Sequence, residues 1–170
     1  MRLDIRHIFE IEGETLSFDH SFAFEDVELG GIHPFHKPVH VIGKVENRAG
    51  IVSVRYTAEY LFEALCDRCQ ADVAEAHCED FEHTLMLETH TDRYSDDVIV
   101  VPDAVLDLDE LVRADILLAV PAKILCREDC KGLCPDCGQN LNEGDCGCQH
   151  TTIDPRFTKL LELMSQDESD

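Results

Sequence analysis

Tryptophan is absent from this chain, aromatic residues make up only 6% of it, and lysine plus arginine number 14 against 36 aspartates and glutamates. Each shortage excludes something. Without tryptophan and with few aromatics, a core must be built mainly from valine, leucine, isoleucine and phenylalanine. A formal charge of -22 repels phosphate over most of the surface, which argues against a general nucleic-acid binder. It favours a basic protein partner, or a contact made locally by a few arginines and lysines. No run approaches eighteen uninterrupted apolar residues, so no helix is expected to span a membrane. The first residues, Met1-Arg2-Leu3-Asp4-Ile5-Arg6, carry charge and no apolar signal segment. A cytoplasmic location is expected, where thiols stay reduced.

Motifs for common chemistries are missing too. There is no G-x-x-x-x-G-K phosphate loop, no G-x-G-x-x-G fingerprint and no G-x-S-x-G nucleophile elbow. The zinc-deaminase pairing of H-x-E with P-C-x-x-C does not occur. No small-molecule substrate is implied. The nine histidines are scattered. The densest set, His33, His36 and His40 around Pro34-Phe35, reads as a solvent-facing loop, with metal binding as the alternative.

Cysteine is what the chain has in excess. Residues 126–148, CREDCKGLCPDCGQNLNEGDCGC, hold six of its nine cysteines. Such density serves a soft metal, a disulfide staple or redox work, and seldom an apolar core. Cys134-x2-Cys137-Gly138 has the form of a zinc knuckle. Two intervening residues aim both sulfurs at one ion, and glycine follows where a left-handed backbone is wanted. Cys146-x-Cys148 supplies a second close pair. The spacing C-x2-C-x8-C-x-C closes a four-thiolate site.

Cys126 and Cys130 then need partners, and Cys66-x2-Cys69 lies upstream. That pair alone is also the spacing of a redox motif, but it ends an alternating run with no clear helix after it. Pairing the two orphan pairs yields a second site, Cys66, Cys69, Cys126 and Cys130, linking body to tail. His77 and His150 stand as alternative ligands beside the clusters. Cys78 is left over and reads as a small buried hydrophobe. Disulfides are disfavoured by the odd count and the expected reducing compartment. Four thiolates leave zinc no open position for water, so two structural Zn(II) ions are expected and no catalytic residue is assigned.

The rest suggests an α+β fold. It would have a mostly antiparallel, partly closed sheet, one packed helix, a zinc-ribbon-like tail and a short C-terminal helix. Leu3 and Ile5 mark a short strand followed by polar chain up to Leu16. Phe22 and Phe24 mark another short strand. Val39 to Val45 and Val52 to Phe62 alternate as a hairpin around a 46–50 loop. Residues 71–87 read as another, less regular strand, with a helix as the alternative, and 88–97 as a loop. Val98–Val101 forms a short buried strand. Asp107 and Glu110 resemble a capping box for a helix that carries Leu108, Leu111, Val112 and Ile116 on one face and stops before Pro121. Asp154-Pro155 opens the last helix, with Phe157, Leu160, Leu161 and Met164 on one face. The expected units are a body over 1–125, a zinc tail over 126–150, and a helix with an acidic end over 151–170.

One set of residues carries a resemblance. In order they are Cys66-Asp-Arg-Cys69, Leu106-Asp107-Leu108, Leu117-Leu118-Ala119-Val120-Pro121, Cys126-x3-Cys130-Lys-Gly-Leu-Cys134-Pro-x-Cys137-Gly-x-Asn-Leu-Asn142, Cys146-x-Cys148 and Asp154-Pro155-Arg156. This succession, within about residues 40–164, resembles the YceD family, the large ribosomal RNA subunit accumulation proteins. The resemblance implies bacterial ribosome biogenesis, with support of 23S ribosomal RNA accumulation and no enzymatic activity. Enteric members look similar around Cys66 and Cys69 and keep an equivalent of Cys130. They have a histidine near the place of Cys126 and lack the Cys134–Cys148 cluster. The partner expected is a basic ribosomal protein or assembly factor. Direct ribosomal RNA binding through the tail is the alternative, using Lys131, Arg127, Arg156 and Lys159. A metal-dependent nuclease would need an open metal site and carboxylate bases.

Overall fold

From Val52 to Ala64 every second residue is buried, and this period-two pattern makes Ile51–Leu65 one long strand. The computed structural model describes residues 1–87 and 98–148. In chain order its elements are β1 (Arg2–Asp4), α1 (Arg6–Glu10), β2 (Thr15–Phe22), β3 (Val39–Arg48), β4 (Ile51–Leu65), β5 (Asp72–Met86), β6 (Val98–Val100), a 3-10 turn (Pro102–Ala104), β7 (Val105–Asp107) and α2 (Leu108–Ala119). The fold is α+β with a mostly antiparallel sheet and few helices. Five strands lie in the order β2-β3-β4-β5-β6, all neighbours antiparallel except β5 and β6. The order ends at β2 and at β6, and among the described residues no hydrogen-bonded ladder joins those ends into a closed sheet.

The β3–β4 hairpin is tighter than the 46–50 loop expected. Arg48 pairs with Ile51, and only Ala49 and Gly50 turn, both at positive φ. Glu46 and Asn47 therefore belong to the strand and are buried. The Asn47 side chain donates to the Ile8 carbonyl at 2.7 Å and accepts from Gly50 N at 3.1 Å, locking α1 against the turn. Gly43 answers a close approach. A Cβ there would meet the Arg55 carbonyl oxygen at 2.3 Å.

Several expectations change. The supposed polar chain after β1 contains α1, which buries Ile8. The strand near Phe22 is eight residues long and ends there. Phe24 lies beyond it, stacked on Phe35 at 4.4 Å between centroids, and both are fully buried. Phe35 thus anchors what read as a solvent-facing histidine loop. His33 and His36 are exposed there, whereas His40 sits on β3. Residues 72–86 form the strand read there first, and the helix alternative falls away. Val98–Val100 is only half-buried, and Val101 is the buried one. Cys78 is exposed, because it alternates with the core-facing positions of β5. The 88–97 loop and the C-terminal helix lie outside the described residues.

Helix α2 begins as expected. Asp107 caps it by accepting from Glu110 N, and Leu108, Val112 and Ile116 are buried in the main core. The β1–β7 ladder brings Met1 beside the same end, where Leu108 N donates to the Met1 carbonyl at 2.9 Å. A polar contact crosses from helix to sheet. The buried Asp115 carboxylate accepts from the Tyr56 hydroxyl, and His83 Nε2 lies 2.7 Å from the same oxygen. Burial, and then Asp115, raises the Tyr56 phenol above its ordinary range.

Candidate metal centres

The β4–β5 hairpin closes with Leu65 paired to Asp72, and its turn is the Cys66–Gln70 knuckle. Cys66 N donates to the Ala71 carbonyl at 2.8 Å, and Gln70 N donates to the Cys66 carbonyl at 2.9 Å. Gln70 has φ +57, and Gly138 in the tail has φ +75 at the matching place, with its N–H donating to the Cys134 carbonyl at 2.9 Å. The two knuckles use the same backbone turn. The first carries a non-glycine in it, which removed the glycine that marks the second.

After α2 the chain returns to this turn. Asp67 N donates to the Ile124 carbonyl at 2.8 Å, and Ile124 N donates to Asp67 Oδ2 at 2.7 Å. That clamp delivers Cys126 and Cys130. Cys66 Sγ lies 3.8 Å from Cys130 Sγ, and Cys69 Sγ lies 3.5 Å from Cys126 Sγ. All four sulfurs lie within 4.8 Å of one another, as do those of Cys134, Cys137, Cys146 and Cys148. A disulfide needs about 2.0 Å. Four thiolates around a zinc-sized ion at about 2.3 Å are separated by about 3.8 Å. The donor chemistry and spacing of both groups fit a soft, tetrahedral ion, and both groups can hold one.

Electrostatics point the same way. Burial works to raise the Cys66 thiol, but amides of Cys126, Cys69 and Arg68 outweigh it and bring the thiol to about 6. The Cys137 and Asp136 amides similarly bring Cys134 to about 6. Their neighbours move oppositely. Cys69 and burial push Cys126 to about 12, and Cys137 and Cys146 push Cys148 to about 12. Four sulfurs this close cannot all ionise against one another unless a cation balances them.

The two groups are joined. Leu133 N donates to the Arg68 carbonyl at 3.1 Å, and Arg68 Nη1 donates to the Cys130 carbonyl at 2.7 Å. A Cβ on Gly132, at φ +79, would stand 3.0 Å from the Arg68 carbonyl oxygen. Asn142 is the hub: its Oδ1 accepts from Lys131 N at 2.8 Å and from Arg127 Nη2 at 2.7 Å. Its Nδ2 donates to Cys130 Sγ at 3.4 Å. Asp67, Arg68 and Asn142 were not singled out as site residues from spacing. Asp67 and Arg68 sit inside the first C-x-x-C, and Asn142 lies four residues before the last cysteine pair, which is the available signal. His77 lies outside both groups, stacked on Tyr60 at 5.0 Å. His150 is outside the described residues.

No helix among the described residues is long and apolar enough to cross a membrane. Comparison with known proteins follows the same geography. The family described as large ribosomal RNA subunit accumulation protein YceD matches residues 54–164, which takes in both cysteine groups. The Bacillus subtilis (strain 168) protein YlbN is 28% identical over 179 residues, covering 99% of each chain. The Mycobacterium tuberculosis (strain ATCC 25618 / H37Rv) protein Rv2926c is 41% identical over 75 residues, 44% of this chain. The chain covers 35% of that relative's length. No solved structure matches.

Proposed function

Because the chain belongs to the YceD family, whose name assigns it to accumulation of the large ribosomal RNA subunit, we propose that it is a non-catalytic, zinc-binding ribosome biogenesis factor. In this reading it supports 23S ribosomal RNA accumulation and large-subunit assembly in the cytoplasm by holding a basic protein partner. The observation that carries it is the pair of closed four-cysteine groups. Cys66, Cys69, Cys126 and Cys130 hold one Zn(II), and Cys134, Cys137, Cys146 and Cys148 hold the other. Four thiolates complete the coordination of zinc and reserve no place for a substrate or an attacking water.

The first ion fastens a body over 1–125 to a zinc-ribbon-like tail over 126–150, and the second shapes the tail itself. Metal-driven order of this kind supplies folding energy directly. The basic partner is supported by the formal charge of -22. A protein that binds ribosomal RNA needs cationic side chains against its phosphates, and an acidic surface attracts such a protein before it reaches RNA.

Native mass spectrometry of the reduced protein, with Cys78→Ser as control, tests the metal reading. Two zinc ions in both proteins are expected. One ion would leave Cys66, Cys69, Cys126 and Cys130 as free or redox thiols and sink the body-to-tail site. Depleting the protein in cells should lower 23S relative to 16S ribosomal RNA. Tight binding to a naked 23S fragment at physiological salt, with a steep salt slope, would replace the basic-protein partner with RNA.

A further inference from the structure

Among the described residues, strand β5 is partnered along one side and over only a short stretch of the other. Its register with β4 runs from Asp72 to Leu85. On its far side β6 covers only Thr84–Met86. Between Asp72 and His83, among the described residues, no strand pairs with that far side. Alternate residues of a strand turn both backbone groups to one side, so about six residues here present N–H and C=O groups outward.

Exposed edges of such length invite another strand, and proteins usually blunt them with lysine, proline, a bulge or a cover. This edge reads DVAEAHCEDFEH and has neither lysine nor proline. It carries Asp72, Glu75, Glu79, Asp80 and Glu82 instead, with no lysine or arginine anywhere in β5. Three of these carboxylates have partners within the sheet. Glu82 meets Arg55 at 2.7 Å, Asp80 accepts from Thr57 at 2.6 Å, and Glu79 accepts from the Tyr60 hydroxyl at 3.2 Å. Asp72 and Glu75 are exposed, and Glu75 meets the His77 ring at 3.8 Å. The exposed Ala74 and Ala76 between them have little side chain to shield the backbone. On β4, Glu59 and Glu63 stand across from Cys78 and Ala74 and extend the negative field.

This charge selects the occupant. A second copy adding its own β5 would set acid against acid across the new ladder. A nucleic-acid backbone would meet the same repulsion. Resting on the basic-partner reading above, we propose that the Asp72–His83 edge receives an extended lysine- or arginine-rich segment of that partner as an additional strand. Main-chain hydrogen bonds to β5 supply affinity, and Asp72, Glu75 and the β4 glutamates select cationic side chains. The edge, unpaired among the described residues, and its acidity then form one device: it admits a basic strand and disfavours a second copy of itself.

The test uses the full-length, metal-loaded protein and a synthetic octapeptide alternating lysine and valine. A second peptide of the same sequence is N-methylated at alternate residues, which keeps its charge but removes the donors of one edge. Hydrogen exchange should show new protection within 72–83 with the first peptide, which should bind at least about tenfold tighter than the methylated one (about 1.4 kcal/mol). Asp72→Lys with Glu75→Lys should weaken binding at least as much, with metal content and melting temperature unchanged. Equal binding of the two peptides, protection elsewhere, or self-association that protects the edge without peptide would overturn the proposal. Purified basic large-subunit ribosomal proteins separate the two levels. If wild type and the double reversal capture them equally, the partner reading stands and the edge proposal falls. If neither captures them, the partner reading itself falls.

Discussion

Cys66 Sγ and Cys130 Sγ lie 3.8 Å apart although 64 residues separate them. Between the two, the chain completes β5, β6, β7 and α2. A metal ion at this point therefore ties the tip of the longest hairpin to the chain that leaves the last described helix, whereas Cys134 to Cys148 closes only a local loop.

That difference predicts unequal losses. Cys66→Ser should remove one of two ions and lower the melting temperature of the body, because a long chain closure is lost with the metal. Cys134→Ser should also remove one ion but leave the body transition nearly in place. A chelator that strips both should reproduce the Cys66→Ser shift and add little to it. Equal shifts for the two variants in calorimetry would refute a division of labour between the sites.

Asn142 is expected to behave as part of the first centre although it binds no metal directly. Its amide donates to Cys130 Sγ, and its carbonyl holds the Lys131 amide and Arg127. Removing such outer partners typically costs 10–100-fold in metal affinity. Asn142→Ala should therefore weaken one ion by about that factor and leave the other unchanged, as read by competition with a chromogenic chelator. An unchanged affinity at both sites would show that Asn142 only orders the tail.

Asp115 is the polar anchor of α2 on the sheet. Asp115→Ala would strand the Tyr56 hydroxyl and the half-buried His83 ring, at a cost of about 3 kcal/mol in urea unfolding. Asp115→Asn keeps an acceptor for Tyr56 and should lose less than half of that. A loss below about 1 kcal/mol for the alanine variant would mean that water replaces the contact.

Lys44 and Arg55 face each other across β3 and β4, a like-charge pair that would be unfavourable alone. Glu46 resolves it, meeting Lys44 at 2.9 Å, Arg48 at 3.2 Å and Arg55 at 3.4 Å. The Lys44 hydrogen bond holds the Glu46 carboxyl below its usual range; burial opposes this, and the three positive charges reinforce it. A carboxyl lowered in the folded state binds fewer protons there than in the unfolded chain. Its contribution is present above the unfolded carboxylate range and disappears as pH falls through the folded value. Glu46→Gln should thus be less stable than wild type at neutral pH, with the gap closing on acidification. A gap that stays constant across denaturation midpoints from neutral to acidic pH would contradict this.

Local patterns were readable in advance where one residue type dictates its surroundings. Alternation along Val52 to Phe62 announced β4, and Asp107 with Glu110 announced the start of α2. Other features depended on distant neighbours. Phe35 is buried because Phe24, Tyr60 and Phe62 enclose it, and nothing in the surrounding histidines and prolines says so. Cys78 looked like a core residue by type. Its strand phase, set by pairing with Glu59, turns it to solvent. Asn47 looked like loop chemistry, but Ile8, far away in sequence, gives its amide a buried acceptor.

Spacing alone determined which cysteines are close enough in sequence to share an ion, because a two-residue gap aims two sulfurs at one point whatever the rest of the fold does. The sequence also determined a strongly acidic surface, since charge is additive over the chain. Tertiary structure decided how the pairs combine, because the Asp67–Ile124 clamp and the Arg68 contact to the Cys130 carbonyl bring the 126–130 segment onto the hairpin tip. It also decided which strand edge is left unpaired among the described residues. An edge is defined by the neighbour a strand lacks, and strand order is set by long-range pairing that no local pattern encodes.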